Sequence, residues 1–410
     1  MKLRLRLQLS AMMFFNYFVW GTWYVTVFRY VTNTLDFTAT QGGLIFGTAS
    51  IAAMISPFFV GMFVDRFVAS EKMLGILHII GAILMYFISE ATDYNSFFIL
   101  MLLYTITFMP SIALTNSICF SHMDNPDKDF PGVRVLGTIG WIVVGILVGT
   151  LAIEESNAQF QLCGVMALFM GLYSFSLPNT PPKAKGKEVT ISDILGLDAL
   201  SLMKKRSFGV MVISSVLVCV PLSFYYVATN DFLANVGMTN PTTKMTLGQA
   251  SEIIFMLIMP LMFVRLGVKK MILIGMAAWV IRYLFFAFGD ADSMIWMLYG
   301  GIILHGICYD FFFVTGQIYV DDEAPEHLKG SAQGLITFAT YGLGMFIGSW
   351  LTGVVIDSYA LEGAATSHDW YSVWMVPALL SFIVLIFFAL MFKDSVKEGD
   401  KEAKAANTHA

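Results

Sequence analysis

The run WYSVWMVPALLSFIVLIFFALMF, from Trp370 to Phe392, carries no charge over its whole length. Stretches like it recur from one end of the chain to the other. A backbone that crosses hydrocarbon must satisfy its own N–H and C=O groups, which leaves helices or closed barrels. Uninterrupted apolar runs of about 20 residues select helices. Composition agrees, with 57% of the 410 residues hydrophobic and only 13% charged, about half the charged share of a soluble domain. The sequence therefore reads as an all-α membrane protein. Its net charge of −5 is small, and no basic tract interleaved with aromatics points to nucleic acid.

A window of about 20 residues gives twelve candidate spans, near 7–30, 42–64, 73–89, 96–120, 132–153, 158–178, 207–233, 246–264, 269–288, 293–319, 330–356 and 370–392. The third is short and the sixth is rich in small and polar residues. The basic lead MKLRLRLQLS opens a run too long for a secretory signal, and no small-residue cleavage site follows, so an uncleaved first span is expected. Of the 24 Lys and Arg, 20 fall on one side of this arrangement and two, Arg29 and Lys244, on the other; Arg134 and Arg282 lie within spans. Positive charge stays inside, so both termini are expected in the cytoplasm. Cys119, Cys163, Cys219 and Cys308 lie in apolar runs without metal-ligand spacing and read as small core hydrophobes.

The longest connection separates six spans from six. Residues 1–178 form a first bundle, 179–206 a cytoplasmic loop whose ISDILGLDALSLMKK reads as an interfacial amphipathic helix, 207–392 a second bundle, and 393–410 a polar, disordered tail. A faint repeat links ISPFFVGMFVDRFVASEKMLGIL to IMPLMFVRLGVKKMILIG, each with a proline before a short basic turn. Two six-helix halves joined by a cytoplasmic loop is the arrangement of the major facilitator superfamily. GMFVDRFVASEK, with Gly61, Asp65 and Arg66, resembles a degenerate form of its loop motif.

Polar groups inside a membrane are costly, face the bundle interior and mark pathways. In DFPGVRVLGTIGW, Arg134, Thr138 and Trp141 share a helical stripe. Either the guanidinium donates to substrate oxygens beside an aromatic platform, or it snorkels and closes a gate with Asp129. In PLSFYYVATNDFL, Ser223, Tyr226 and Asn230 share a face, as packing or as a cavity wall. In GQASEIIFMLIMP, Gln249 and Glu252 project together from an apolar helix. Glu252 either exchanges a proton, accepts from substrate hydroxyls, or pairs with Arg282. In GICYDFFFVTGQIYV, Asp310 sits midway through span ten beside Tyr309, with Gln317 two turns later on the same side in α-helical register. Asp310 is a proton carrier or a second possible partner of Arg282.

Five segments in order, FNYFVWGTW, DFPGVRVLGTIG, ILGLDAL, QASE and YDFF, resemble the nucleoside:proton symporter family of bacterial inner membranes, within the major facilitator superfamily, over nearly the whole chain. The resemblance implies a twelve-helix secondary transporter that imports nucleosides with protons and needs no cofactor, a monomer in the inner membrane and not an enzyme. It implies that Arg134, Thr138 and Trp141 line the nucleoside site, with Trp where the family typically has Phe. It also implies that Gln249 and Glu252 contact the nucleoside, and that Tyr309 and Asp310 form an aromatic and acidic pair tied to coupling or binding. Span seven departs, with Ser223 and Tyr226 where uridine-binding members carry Gln and Asn. That departure admits a modified nucleoside, a sugar or an oligosaccharide as the ligand.

Overall fold

The computed structural model describes residues 2–59, 68–182, 197–361 and 367–393, and the loop motif around Gly61, the start of the central loop helix and the tail lie outside them. The described residues are helical almost throughout. In chain order the helices are α1 (Leu3–Gly21), α2 (Val27–Asn33), α3 (Ala39–Phe59), α4 (Ser70–Glu90), α5 (Tyr94–His122), α6 (Pro126–Leu151), α7 (Ala158–Ser174), α8 (Arg206–Asn235), α9 (Pro241–Phe288), α10 (Ile295–Glu323), α11 (Glu326–Ser358) and α12 (Trp370–Met391). Eight helical stretches in the described residues are long and apolar enough to cross a membrane, from Ser70–Glu90 to Trp370–Met391, and α7 is a shorter apolar helix. The fold is an all-α, multi-spanning one.

Three boundaries differ from the sequence reading. The first span is broken: α1 stops at Gly21 and α2 resumes at Val27. The Thr26 hydroxyl in this break bonds Gln159 Oε1 (2.6 Å), a side-chain partner that apolar periodicity does not foresee. The third span, short in the sequence, is the full 21-residue α4. The loop between spans eight and nine collapses to one residue. Gly267, at φ 71° and ψ 174°, is the non-helical point that divides α9 into two arms, a conformation that favours glycine because it has no Cβ.

Prolines stand inside α5 (Pro110), α8 (Pro221), α9 (Pro260) and α12 (Pro377). At one of them the Tyr283 hydroxyl of α9 donates to the Pro221 carbonyl of α8 (2.5 Å), and packed membrane helices commonly tolerate such prolines. α8 is the most enclosed candidate span, 78% buried, whereas only 39% of α12 is. Leu257, Val264 and Leu390 are among the side chains left exposed on the apolar perimeter, which suits a hydrocarbon solvent.

Neighbours fall into two sets. α1 packs on α6 and α4 on α5 and α7, while α8 packs on α11 and α12 and α9 on α10 and α12. Contacts between the sets run through α3 with α11, α6 with α9 and α2 with α8. Glycines permit the closest approaches. A Cβ on Gly140 of α6 would stand 2.2 Å from the Phe14 carbonyl oxygen of α1, so a side chain there would force the pair apart.

Candidate site between the two sets of helices

The site begins with rings. Trp20 of α1 meets Trp141 of α6 (centroids 5.3 Å apart), Tyr24 meets Trp141 (5.7 Å), and Tyr24 reaches Tyr226 of α8 (5.6 Å). The series continues from Tyr226 to His305 (5.8 Å) and from His305 to Tyr309 on α10 (5.8 Å). The Tyr309 hydroxyl then hydrogen-bonds that of Tyr341 on α11. All of these ring pairs but the tilted His305–Tyr309 are edge-to-face, and such pairs fix ring orientation, so the wall is a preformed aromatic enclosure bridging residues from both ends of the chain.

Polar groups enter this enclosure at few places. The Arg134 guanidinium lies 4.2 Å from the Tyr17 ring centroid, a cation–π contact, and stands on the same face of α6 as half-buried Thr138 and Trp141. Gln249 and Trp141 share a cleft with Gly21, Val25, Met245 and Thr246. Glu252, one helical turn from Gln249, keeps 18% of its side chain exposed and has its Oε2 3.9 Å from His305 Nε2.

Asp310 is wholly buried, and neither carboxyl oxygen has a hydrogen-bond partner among the described residues. It opens a π-helical segment, Asp310–Val314, and a second one, Phe338–Gly344, carries Tyr341. Such widened turns in helices are frequent at functional sites. Gln317 does not share the side of Asp310: it is exposed and lines a separate space with Met211, Ser215 and Thr340.

Arg282 is not the counter-ion of either acid. Its Nε donates to the Gly301 carbonyl (2.8 Å) and its guanidinium lies 3.7 Å from the Tyr225 ring centroid. Ser223 is not brought to the enclosure. Its hydroxyl bonds the Cys219 carbonyl (3.0 Å) and lies 3.2 Å from that of Met345, while Gly348 leaves room for it, since a Cβ there would stand 2.4 Å from Ser223 Oγ. Asn230 donates its amide to the Thr242 hydroxyl (2.6 Å), while its Oδ1 has no partner among the described residues. The structure thus gathers Arg134, Thr138, Trp141, Tyr226, Gln249, Glu252, Tyr309 and Asp310, and leaves Ser223 in helix packing.

The sequence reading passed over His305, Tyr24 and Tyr341. His305 is 1% exposed, stacks on Tyr225 at 5.0 Å and has Nδ1 without a partner among the described residues. It carried a usable signal, being an ionisable group inside a span and one helical turn before Tyr309. Tyr24 carried none, because it sits in the break between α1 and α2. The four cysteines are buried and free.

A bundle of apolar helices enclosing acids, a guanidinium and an aromatic wall defines a secondary transporter of the major facilitator type, and solved structures agree. The crystal structure of the nucleoside transporter NupG superposes with a TM-score of 0.87 at 28% identity, over 95% of this chain and 100% of that one. The chain is 41% identical over 403 residues to a putative nucleoside transporter, YegT, of Escherichia coli (strain K12), covering 95% of this chain and 94% of that one. It is 31% identical to the xanthosine permease of the same organism, over 94% and 96% of the two chains. The family model described as nucleoside H+ symporter matches residues 1–397, and the chain belongs to that family. It is a multi-pass inner-membrane protein that carries nucleosides by proton symport, and not an enzyme.

Proposed function

We propose that the protein imports nucleosides by alternating access, with twelve spans in two six-helix halves rocking about the aromatic enclosure. In this reading 1–178 and 207–392 are the halves, 179–206 is the cytoplasmic connection, and both termini, with the tail 393–410, are cytoplasmic. One chain suffices, because both walls of the site come from it. The charge asymmetry of the loops supports the orientation, and the two sets of packed helices support the division.

The observation that carries the mechanism is that two acids stand against the ring wall: Glu252 on α9 lies 3.9 Å from His305, and Asp310, next to Tyr309, is buried with neither carboxyl oxygen hydrogen-bonded among the described residues. Gln249 and Glu252 hold ribose hydroxyls, Trp141 and Tyr309 take the base between their rings, and Arg134 with Thr138 donates to substrate oxygens. A proton neutralises Asp310 or Glu252, and loading then changes which side the cavity favours. Ser223 is left out of this set because its hydroxyl is committed to packing. Its loss from the cavity, with Tyr226 in place of an amide, favours a base other than uracil.

The test is uptake into proteoliposomes under an imposed pH gradient, competed by a panel of nucleosides, free bases and sugars. Nucleosides should compete and sugars should not; the reverse order would overturn the substrate assignment. Asp310→Asn and Glu252→Gln separate the carriers: the variant that loses gradient-driven accumulation but keeps substrate exchange identifies the acid that moves the proton. Full accumulation in both would remove both acids from coupling.

A further inference from the structure

At the end of the bundle that carries Arg29 and Lys244, two acids reach from one set of helices onto the opening N–H groups of a helix in the other. Asp357, in the last turn of α11, accepts from Ala39 N (2.8 Å), Thr40 N (2.8 Å) and the Thr40 hydroxyl (2.6 Å). These residues begin α3, and Thr38 and Gln41 complete its start as a reciprocal capping box. Glu154, just beyond α6, accepts from Thr242 N (3.1 Å), in the first turn of α9 after Pro241. It is 6% exposed, and Arg29 Nη1 lies 3.4 Å from its other oxygen.

Beneath each acid the helices meet almost backbone to backbone. Gly43 and Gly47 of α3 face α11: a Cβ on Gly43 would stand 2.2 Å from the Ser349 carbonyl oxygen, and one on Gly353 would stand 2.3 Å from that of Ala39. Gly145 and Gly149 of α6 face α9, where a Cβ would stand 2.7 Å from Thr246 Cγ2 and 2.3 Å from Thr243 Oγ1 respectively. The two contacts have one design, a small-residue step that permits approach and an acid that caps the partner helix. The faint sequence repeat makes α3 and the first arm of α9 counterparts, so the same device occurs once in each half.

We propose that Glu154 and Asp357 are paired positioning residues that hold the substrate cavity shut at this outer end. The inference rests on the alternating-access reading above. Small-residue steps guide helices together without direction, whereas a carboxylate on helix N–H groups is charge-assisted and geometrically exacting. The bonds exist only while the outer ends touch, so their whole strength is differential between the two states. Removing the charge at either acid shifts the ratio of outer-open to outer-closed molecules about tenfold, the scale of one hydrogen bond to a charged group. The sites share no partner, so the two shifts multiply to about a hundredfold.

The native cysteines are all buried, which allows spin labels on introduced pairs at exposed positions: Thr92→Cys with Asp292→Cys outside, and Lys128→Cys with His327→Cys inside. Double electron–electron resonance on the full chain in nanodiscs then reads both ends in Glu154→Gln, Asp357→Asn and the double variant. The expected result is a longer outer distance gaining population as a shorter inner one does. Unchanged distances, or broadening at both ends together, would overturn the proposal, since the latter is loss of packing rather than a shift between states. The unmodified acids with and without added uridine and xanthosine separate the two claims. Reciprocal movement there without any effect of the variants refutes the latch alone; no reciprocal movement under any condition refutes alternating access as well.

Discussion

Gly306→Ala is the smallest change that should disable transport without touching a group that binds substrate. Gly306 lies on α10, one turn before Asp310, and packs against the stretch of α9 that carries Glu252. Its amide donates to Ser251 Oγ at 3.0 Å. A Cβ at this position would stand 2.6 Å from the Ser251 carbonyl carbon and 2.7 Å from Glu252 N. Ordinary contact begins near 3.4 Å, so α9 and α10 must separate by about 0.8 Å. The atoms in the way are backbone and cannot rotate aside. Overpacking of this kind costs about 1–3 kcal/mol, and the same displacement moves Tyr309 and Asp310 relative to Gln249 and Glu252. Misplacement on the order of 1 Å can lower a geometry-dependent rate about 10²-fold. Initial uptake rate over KM in proteoliposomes should therefore fall by about 10- to 100-fold, with a lowered melting temperature in detergent. Gly330→Ala is the control, because nothing lies within 4 Å of a Cβ there. Wild-type uptake by Gly306→Ala would refute the claim that α9–α10 spacing sets the site.

Ser223→Ala should leave KM for uptake within about twofold of wild type while costing about 1 kcal/mol of stability, read as a lower melting temperature; a large rise in KM would return Ser223 to the binding surface. Asp93 caps α5 by accepting from Ser96 N (3.0 Å), and hydrogen bonding by that amide holds its carboxyl below the usual carboxylate range. A lowered value in the fold stabilises at pH above the unfolded value and loses that contribution as pH falls through the folded one. The melting difference between wild type and Asp93→Ala should thus be present at neutral pH and close on strong acidification. A difference independent of pH would contradict the cap.

The helices were legible because each needs only its own apolar run, and nine of the candidate spans fall in the eight helices of spanning length among the described residues, α9 holding two of them. Arg134, Trp141, Gln249 and Glu252 were legible for a related reason: a polar or aromatic group on an apolar helix has few places to point. Partners were not. Arg282 was a reasonable counter-charge by sequence distance, yet its neighbours are the Gly301 carbonyl and the Tyr225 ring, which only helix rotation decides. Ser223 failed similarly, since a hydroxyl on the correct face can still return to the carbonyl one turn back, here Cys219. Gly267 hid inside a basic loop because one left-handed residue does the work of several.

The π-helical turn at Asp310–Val314 has a consequence for comparing this chain with its relatives. A π turn bonds i to i+5 and so holds one residue more than the α turn it replaces, which makes it equivalent to a single-residue insertion absorbed in the middle of a transmembrane helix. Beyond it, each side chain stands about 100° from where unbroken α-helical register would put it, and Gln317 is the visible casualty. Against a helix that lacks such a turn, the residues after Val314 keep their face only if a one-residue gap is placed within the span. The Phe338–Gly344 turn sets the same trap on the neighbouring helix.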